Sequence, residues 1–270
     1  MKSKAASYPY LIWMAIFIIV PLAMIVYFAF TNSDGQFTVE NLVGLEKYAP
    51  VLLRSLKLAA ISTVICLIVS YPIALILMNS KANSQKMMLM LVMLPMWMNF
   101  LLRTYAWMTL LEKNGLINRF LGMFGIGPFE MINTEGAVVL GMVYNYLPFM
   151  ILPLYSVMIK IDKSVIEAAQ DLGSNSFHVF SKVIFPLSLP GVMSGITMVF
   201  VPAISTFIIS KMLGGGGNLL VGDLIELQFL GNAYNPNLGA AMSLVLMVII
   251  LICMGIMNRF GDEDSRGMMI

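Results

Sequence analysis

The stretch Glu167-Ala-Ala-Gln-Asp-Leu-Gly173, continuing through Phe177, Phe180 and Val183 to Pro186, lies between two strongly apolar segments. Its residues are helix formers with a soluble character, more than a simple connection would need. Ser164-Val-Ile-Glu167 fits a capping box in which the Ser164 hydroxyl covers the Glu167 amide, with Asp162 as the alternative cap. Ala168, Ala169 and Leu172 continue the helix, and Gly173 stands where a left-handed terminal residue is wanted. Ser174 or Asn175 can cap a second helix, along which Phe177, Phe180 and Ile184 form one apolar stripe before Pro186. Glu167 and Asp171, four residues apart, set two carboxylates on one face. The small Ala168–Ala169 pair permits close approach, so the stretch reads as a helix made to enter a partner's groove.

Outward from this stretch the chain is apolar. Of its 270 residues 59% are hydrophobic and only 11% charged, and the mean hydropathy is +0.88. A soluble domain carries roughly a quarter charged residues, so lipid is the main solvent here. A net charge of +2 gives no reason to expect a nucleic-acid partner. Cys66 and Cys253 sit within apolar runs and read as small hydrophobes, and the 25 methionines are scattered through the same runs as flexible packing.

Six spans fit, at about 8–30, 56–78, 86–111, 137–159, 184–210 and 240–258, each near or above the ~20 residues that cross a bilayer. The first is too long for a signal-peptide core and no small-residue cleavage site follows it. Six spans place both termini on one side. Lys2, Lys4, Lys81, Lys86, Lys160, Lys163, Lys182, Arg259 and Arg266 lie on that side. On the other lie Lys47, Arg54, Lys57, Lys113, Arg119 and Lys211, in long loops where charge counts for less. The first side is therefore expected to be cytoplasmic, and with it the loop 160–186. Proline falls within five of the spans, and the fifth, with Pro186, Pro190, Gly191, Gly195 and Pro202, is expected to line something that moves.

The glycine run 214–217 lacks the Gly-Lys-Ser/Thr ending of a phosphate-binding loop and reads as a hinge before an amphipathic segment, 219–230. No zinc spacing or nucleophile elbow occurs, and His178 has no catalytic partner in sequence. The chain is not expected to be an enzyme by itself.

Glu167-Ala168-Ala169, three residues, Gly173, nine residues, then Val183-x-Phe185-Pro186 resembles the EAA motif of ABC importer permeases. The resemblance implies an all-α, polytopic membrane protein with a MetI-like permease core in a single domain over 1–270. It implies a bacterial inner-membrane location and coupling to a separate cytoplasmic ATPase dimer through Glu167, Ala168, Ala169, Asp171, Gly173 and Phe177. ATP and magnesium would then belong to the ATPase, with no cofactor on this chain. A second homologous permease and an extracytoplasmic solute-binding protein would complete the assembly.

Pro95-x-Trp97-x-Asn99, Leu102-Arg103-Thr-Tyr105, Leu147-Pro-Phe-Met150, Leu154-Tyr-Ser156 and Asn218-Leu-Leu-x-Gly222 are similar to the permease subunits of spermidine/putrescine importers. A polyamine path needs carboxylates or aromatic faces. No Asp or Glu lies well inside a span, and Trp97, Tyr105, Tyr144 and Tyr155 supply aromatic faces. Trp97, Tyr105 and Tyr144 are the candidate path residues, with acids expected on a partner or near Asp223 and Glu226. In an unbroken third span Asn99 and Arg103 would share one face and Trp97 would lie about 160° from Asn99, so Trp97 is expected to face the path while Arg103 pairs within the bundle or reaches to its edge. Arg103 keeps alternatives open: an opine, an amino acid or an inorganic anion as solute. An ion-coupled secondary transporter is a rival class, but it calls for intramembrane ionisable residues or an internal repeat.

Overall fold

The computed structural model describes residues 8–231 and 233–267; Lys2 and Lys4 of the basic N-terminus lie outside these. The described residues are overwhelmingly helical, with a lone bridge between Thr31 and Phe37. Five helices are long and apolar enough to cross a membrane, six when one sharply bent pair counts as a span.

The first, α1 (Pro9–Ala29), has none of its apolar window buried against the rest of the chain. Helix α2 (Glu40–Asn79) is much longer than the expected 56–78. Arg54 and Lys57 lie inside it because Glu135 faces both, at 3.5 and 3.0 Å. The third span is not one helix. Helix α3 (Ala82–Trp97) ends in a 3-10 turn, Leu94–Trp97, and α4 (Phe100–Leu111) restarts after a break near 90°. Pro95 removes a backbone donor, and Asn99 caps the new helix by accepting from the Leu101 and Leu102 amides at 2.9 and 3.4 Å. The short α5 (Leu116–Gly122) and a loop lead to α6 (Glu135–Met158), the fourth span.

After α7 (Lys163–Asp171) comes α8 (Ser176–Ser205), a 30-residue run that joins the expected second loop helix directly to the fifth span. Two short helices follow, α9 (Ile208–Leu213) and α10 (Val221–Leu230), and then α11 (Pro236–Gly267), which carries the sixth span over Pro236–Met257.

The core lies where α2, α6 and α8 meet, around Leu58, Ala59, Cys66, Met142, Met150 and Val199. Between membrane helices small residues let backbones approach. A Cβ on Gly191 would lie 3.0 Å from the Pro153 carbonyl oxygen and 3.1 Å from Leu154 Cα, and one on Gly195 would lie against Met150 Sδ. These glycines, read above as part of a moving helix, are contact points that bring α8 onto α6. The 214–217 run is likewise not a free hinge. Gly215 has φ +60 against Asn133, Arg54 donates to the Gly217 carbonyl at 3.1 Å, and Asn218 Nδ2 donates to the Asn133 and Gly214 carbonyls at 2.9 Å.

Candidate functional site: the loop between the fourth and fifth spans

Helix α7 starts at Lys163, one residue before Ser164, so the cap is Asp162 and not Ser164: its carboxylate accepts the Ser164 amide at 2.9 Å. That backbone hydrogen bond, with the Ser164 hydroxyl, holds the Asp162 carboxyl below its ordinary pKa. At the other end Gly173 has φ +83. The Gly173 amide donates to the Gln170 carbonyl at 2.8 Å and the Ser174 amide to the Ala169 carbonyl at 3.1 Å. This is the Schellman pair of bonds, which needs a left-handed residue at Gly173. Asn175 caps α8 by accepting the His178 amide at 2.8 Å. Two capped ends and a fixed reversal make the loop a shaped body.

Helix α7 turns Ile166 and Ala169 toward a cluster containing Tyr71, Met158, Val179 and Ile184. Glu167, Ala168 and Asp171 face outward. Ala168 therefore offers close approach to a partner, whereas Ala169 is spent on the chain's own core. The expected stripe of Phe177, Phe180 and Ile184 divides: Phe180 and Ile184 pack inward, and Phe177 is 73% exposed. Leu172, read above as part of the helix and nothing more, is 87% exposed. Its place six residues after Ile166 sets it about 120° round the helix at 100° per residue, a signal that could have been read. Val165, Leu172 and Phe177 thus add exposed apolar surface beside two carboxylates.

The three candidate path residues are not brought together. Trp97 and Tyr105 are 73% and 54% exposed on the chain's outer surface. Tyr144 is half-buried, edge-on to Trp107 at 5.3 Å. The 160° relation of Trp97 to Asn99 does not hold, because the helix ends between them. Arg103 does pair within the bundle: it is 7% exposed, donates to the Pro95 carbonyl at 2.6 Å, and lies 5.7 and 5.9 Å from the ring centres of Phe100 and Tyr144. The Tyr144 face is thus already taken by a cation of the chain itself. Arg103 also borders a cavity of about 430 Å³ with Met96, Asn145, Tyr146, Phe149 and Met198. No carboxylate lines it, and Arg103 Nε and Asn145 Oδ1 have no hydrogen-bond partner.

The two acids expected near the path outside the spans, Asp223 and Glu226, are occupied. Asp223 is 1% exposed and caps α10, its Oδ2 accepting the Leu220 amide at 2.7 Å. Burial raises its pKa. Glu226 holds Lys211 at 2.9 Å. Among the described residues no group of His, Cys, Asp and Glu could hold a metal ion.

Residues 3–262 match the family described as binding-protein-dependent transport system inner membrane component. The chain belongs to that family. It is accordingly a multi-pass inner-membrane permease of the ABC importer type. Its relatives include the spermidine/putrescine transport system permease protein PotB of Haemophilus influenzae, 38% identical over 94% of this chain and 92% of that one. PotB of Escherichia coli is 37% identical over 88% and 90%. The Escherichia coli inner membrane ABC transporter permease protein YdcU is 29% identical over 87% and 80%. The fold is that of solved permeases. A bacterial ABC transporter that imports alginate gives a TM-score of 0.82 at 16% identity, covering 96% of this chain and 94% of that chain. The MetNI methionine transporter gives 0.61 at 16%, covering 80% and 95%.

Proposed function

We propose that this permease is one half of the membrane path of an ATP-driven polyamine importer, with spermidine or putrescine as cargo. The observation that carries the reading is the 37–38% identity, over about nine-tenths of the chain, to permeases named for those two solutes. In this reading a second, homologous permease completes the path and an extracytoplasmic protein delivers the solute. The loop 160–186 seats in a separate ATPase dimer, which carries the ATP and magnesium; this chain binds no cofactor. Glu167, Ala168, Asp171, Leu172 and Phe177 form the face toward the ATPase, and Gly173 fixes its shape. Both termini are then cytoplasmic. Supporting that orientation, Lys81, Lys86, Lys160, Lys163 and Lys182 have no carboxylate partner among the described residues, whereas Arg54, Lys57, Lys113 and Lys211 at the opposite end each face one and only Lys47 and Arg119 there do not.

The mechanism is alternating access. ATP drives the ATPase between open and closed forms, and the loop conveys work only in so far as it contacts the two forms differently. The cargo's acids come from the partner permease or the binding protein, since Asp223 and Glu226 are taken. Trp97 and Tyr105, exposed on this chain, are the aromatic faces available to a cation.

The test is uptake of radiolabelled spermidine into vesicles holding the whole assembly, with unlabelled putrescine, amino acids and inorganic anions as competitors. Competition by putrescine alone is the expected result, and uptake blind to polyamines would overturn the cargo. A second reading, an anionic or zwitterionic small solute, is favoured by the Arg103 cavity with no carboxylate in its lining. The same competition decides it.

A further inference from the structure

Between the loop and the fifth span, α8 contains a π-helical turn, Phe180–Ile184, in which the Phe185 amide reaches back to the Phe180 carbonyl. Such a turn holds one residue more than an α turn and occurs at functional sites. Pro186 follows at once and cannot donate to the Lys182 carbonyl, so the wide turn falls where the α ladder is already interrupted. Tightening it to α geometry would rotate everything before it by about 100° relative to the span. The orientation of the whole loop therefore depends on the state of these five residues.

The side chain that packs on the turn comes from another span. Tyr71 of α2 is 8% exposed, edge-on to Phe180 at 5.3 Å and stacked with Phe185 at 6.1 Å, so its ring touches one aromatic at each end of the turn. Its hydroxyl lies 2.5 Å from Ser188 Oγ, and Ser188 is fully buried. The Ser188 proton goes to the Phe185 carbonyl at 2.9 Å. Tyr71 must then be the donor to Ser188, giving a directed chain from Tyr71 through Ser188 to the backbone at the exit of the turn.

We propose that Tyr71 is a positioning residue for coupling: by clamping the π turn through Phe180, Phe185 and Ser188, it makes α2 and α8 respond as one to movement of the loop. This rests on the reading of the loop as the ATPase contact. Without the clamp the turn can absorb the loop's movement by changing register, and ATP is hydrolysed with less transport.

The experiment measures uptake per ATP hydrolysed in vesicles holding the whole assembly, on complexes that co-purify with their ATPase. Tyr71→Phe keeps the ring contacts and loses the donor; it should lower that ratio by about three- to tenfold while hydrolysis persists, the span expected for one hydrogen bond. Ser188→Ala strands a buried tyrosine hydroxyl and should be worse. Adding Tyr71→Phe to Ser188→Ala removes the stranded group and should return the ratio to that of Tyr71→Phe alone, a non-additivity that unrelated damage would not give. A wild-type ratio in both single variants, or additive losses in the double, would overturn the proposal. A wild-type chain that never co-purifies with an ATPase would instead overturn the reading of the loop.

Discussion

Arg103 donates to the carbonyl of Pro95 across the break in the third span, at 2.6 Å. The bond joins a residue before the bend to one after it, so the guanidinium braces a turn of about 90°. Its charge also rests between the faces of Phe100 and Tyr144. A lysine supplies charge but neither the planar fork nor the stacking.

Arg103→Lys is therefore expected to lower stability in detergent by about 1–3 kcal/mol, as for a lost charged hydrogen bond. Tyr144→Leu should act in the same direction through the same brace, while Tyr144→Phe, which keeps the ring, should match the wild type in both stability and uptake. Thermal unfolding checks the first two and solute uptake the third. If Tyr144→Phe abolished uptake in a stable protein, the hydroxyl would be a cargo contact after all.

Gly173, at φ +83, is expected to accept asparagine better than alanine, and alanine better than valine, since Asn visits the left-handed region and β-branched residues avoid it. Alanine should cost about 1 kcal/mol locally. The readout is the amount of ATPase retained on the purified permease, which should fall in that order.

Gly191 and Gly195 should differ although both face α6. A Cβ on Gly191 meets backbone, the Pro153 oxygen and Leu154 Cα, which cannot yield without moving the helix. At Gly195 the nearest obstacle is the Met150 thioether, which is flexible. Gly191→Ala should thus lower the melting temperature more than Gly195→Ala, and the reverse order would show that Met150 is locked.

Asp223 gives a pH dependence. Burial raises its folded pKa above the unfolded one, so the folded state holds its proton more tightly. The stabilising contribution is full below the unfolded pKa, 3.8, and is lost as pH rises through the folded value. Asp223→Asn has no such term. The melting temperature of the wild type relative to Asp223→Asn should be highest near pH 4 and fall as the pH rises. A flat difference would mean that the carboxylate is ionised at no cost.

Hydropathy placed five of the six spans because lipid demands long apolar helices, and that demand is local. What it could not place depended on distant partners. Arg54 and Lys57 argued for a late start to the second span, and only Glu135, far along the chain, neutralises them. Asn99 looked like one more residue of a helix, but beyond Pro95 it begins a new one. The fifth span was expected to start at 184 with Pro186 at its approach, yet a π turn, Phe180–Ile184, carries the loop helix straight into it. In the loop, glycine and Asx chemistry gave the turns correctly, since both act over a few residues. Ala169 was assigned to a partner, and Phe177 grouped with Phe180 and Ile184 in one stripe, because the inward partners of Ala169, Phe180 and Ile184, among them Met158 and Tyr71, belong to other spans.

The continuity of α8 turns the fifth span into a lever. Counted at 1.5 Å per residue, its contact with α6 at Gly195 stands about 29 Å from the loop end and about 15 Å from the far end. A helix tilting about that fulcrum moves its two ends in opposite directions, the far one by about half as much. On the proposed reading of the loop as the ATPase contact, the loop-side arm trades distance for force, so the far end receives a smaller and stiffer displacement than the one the loop undergoes.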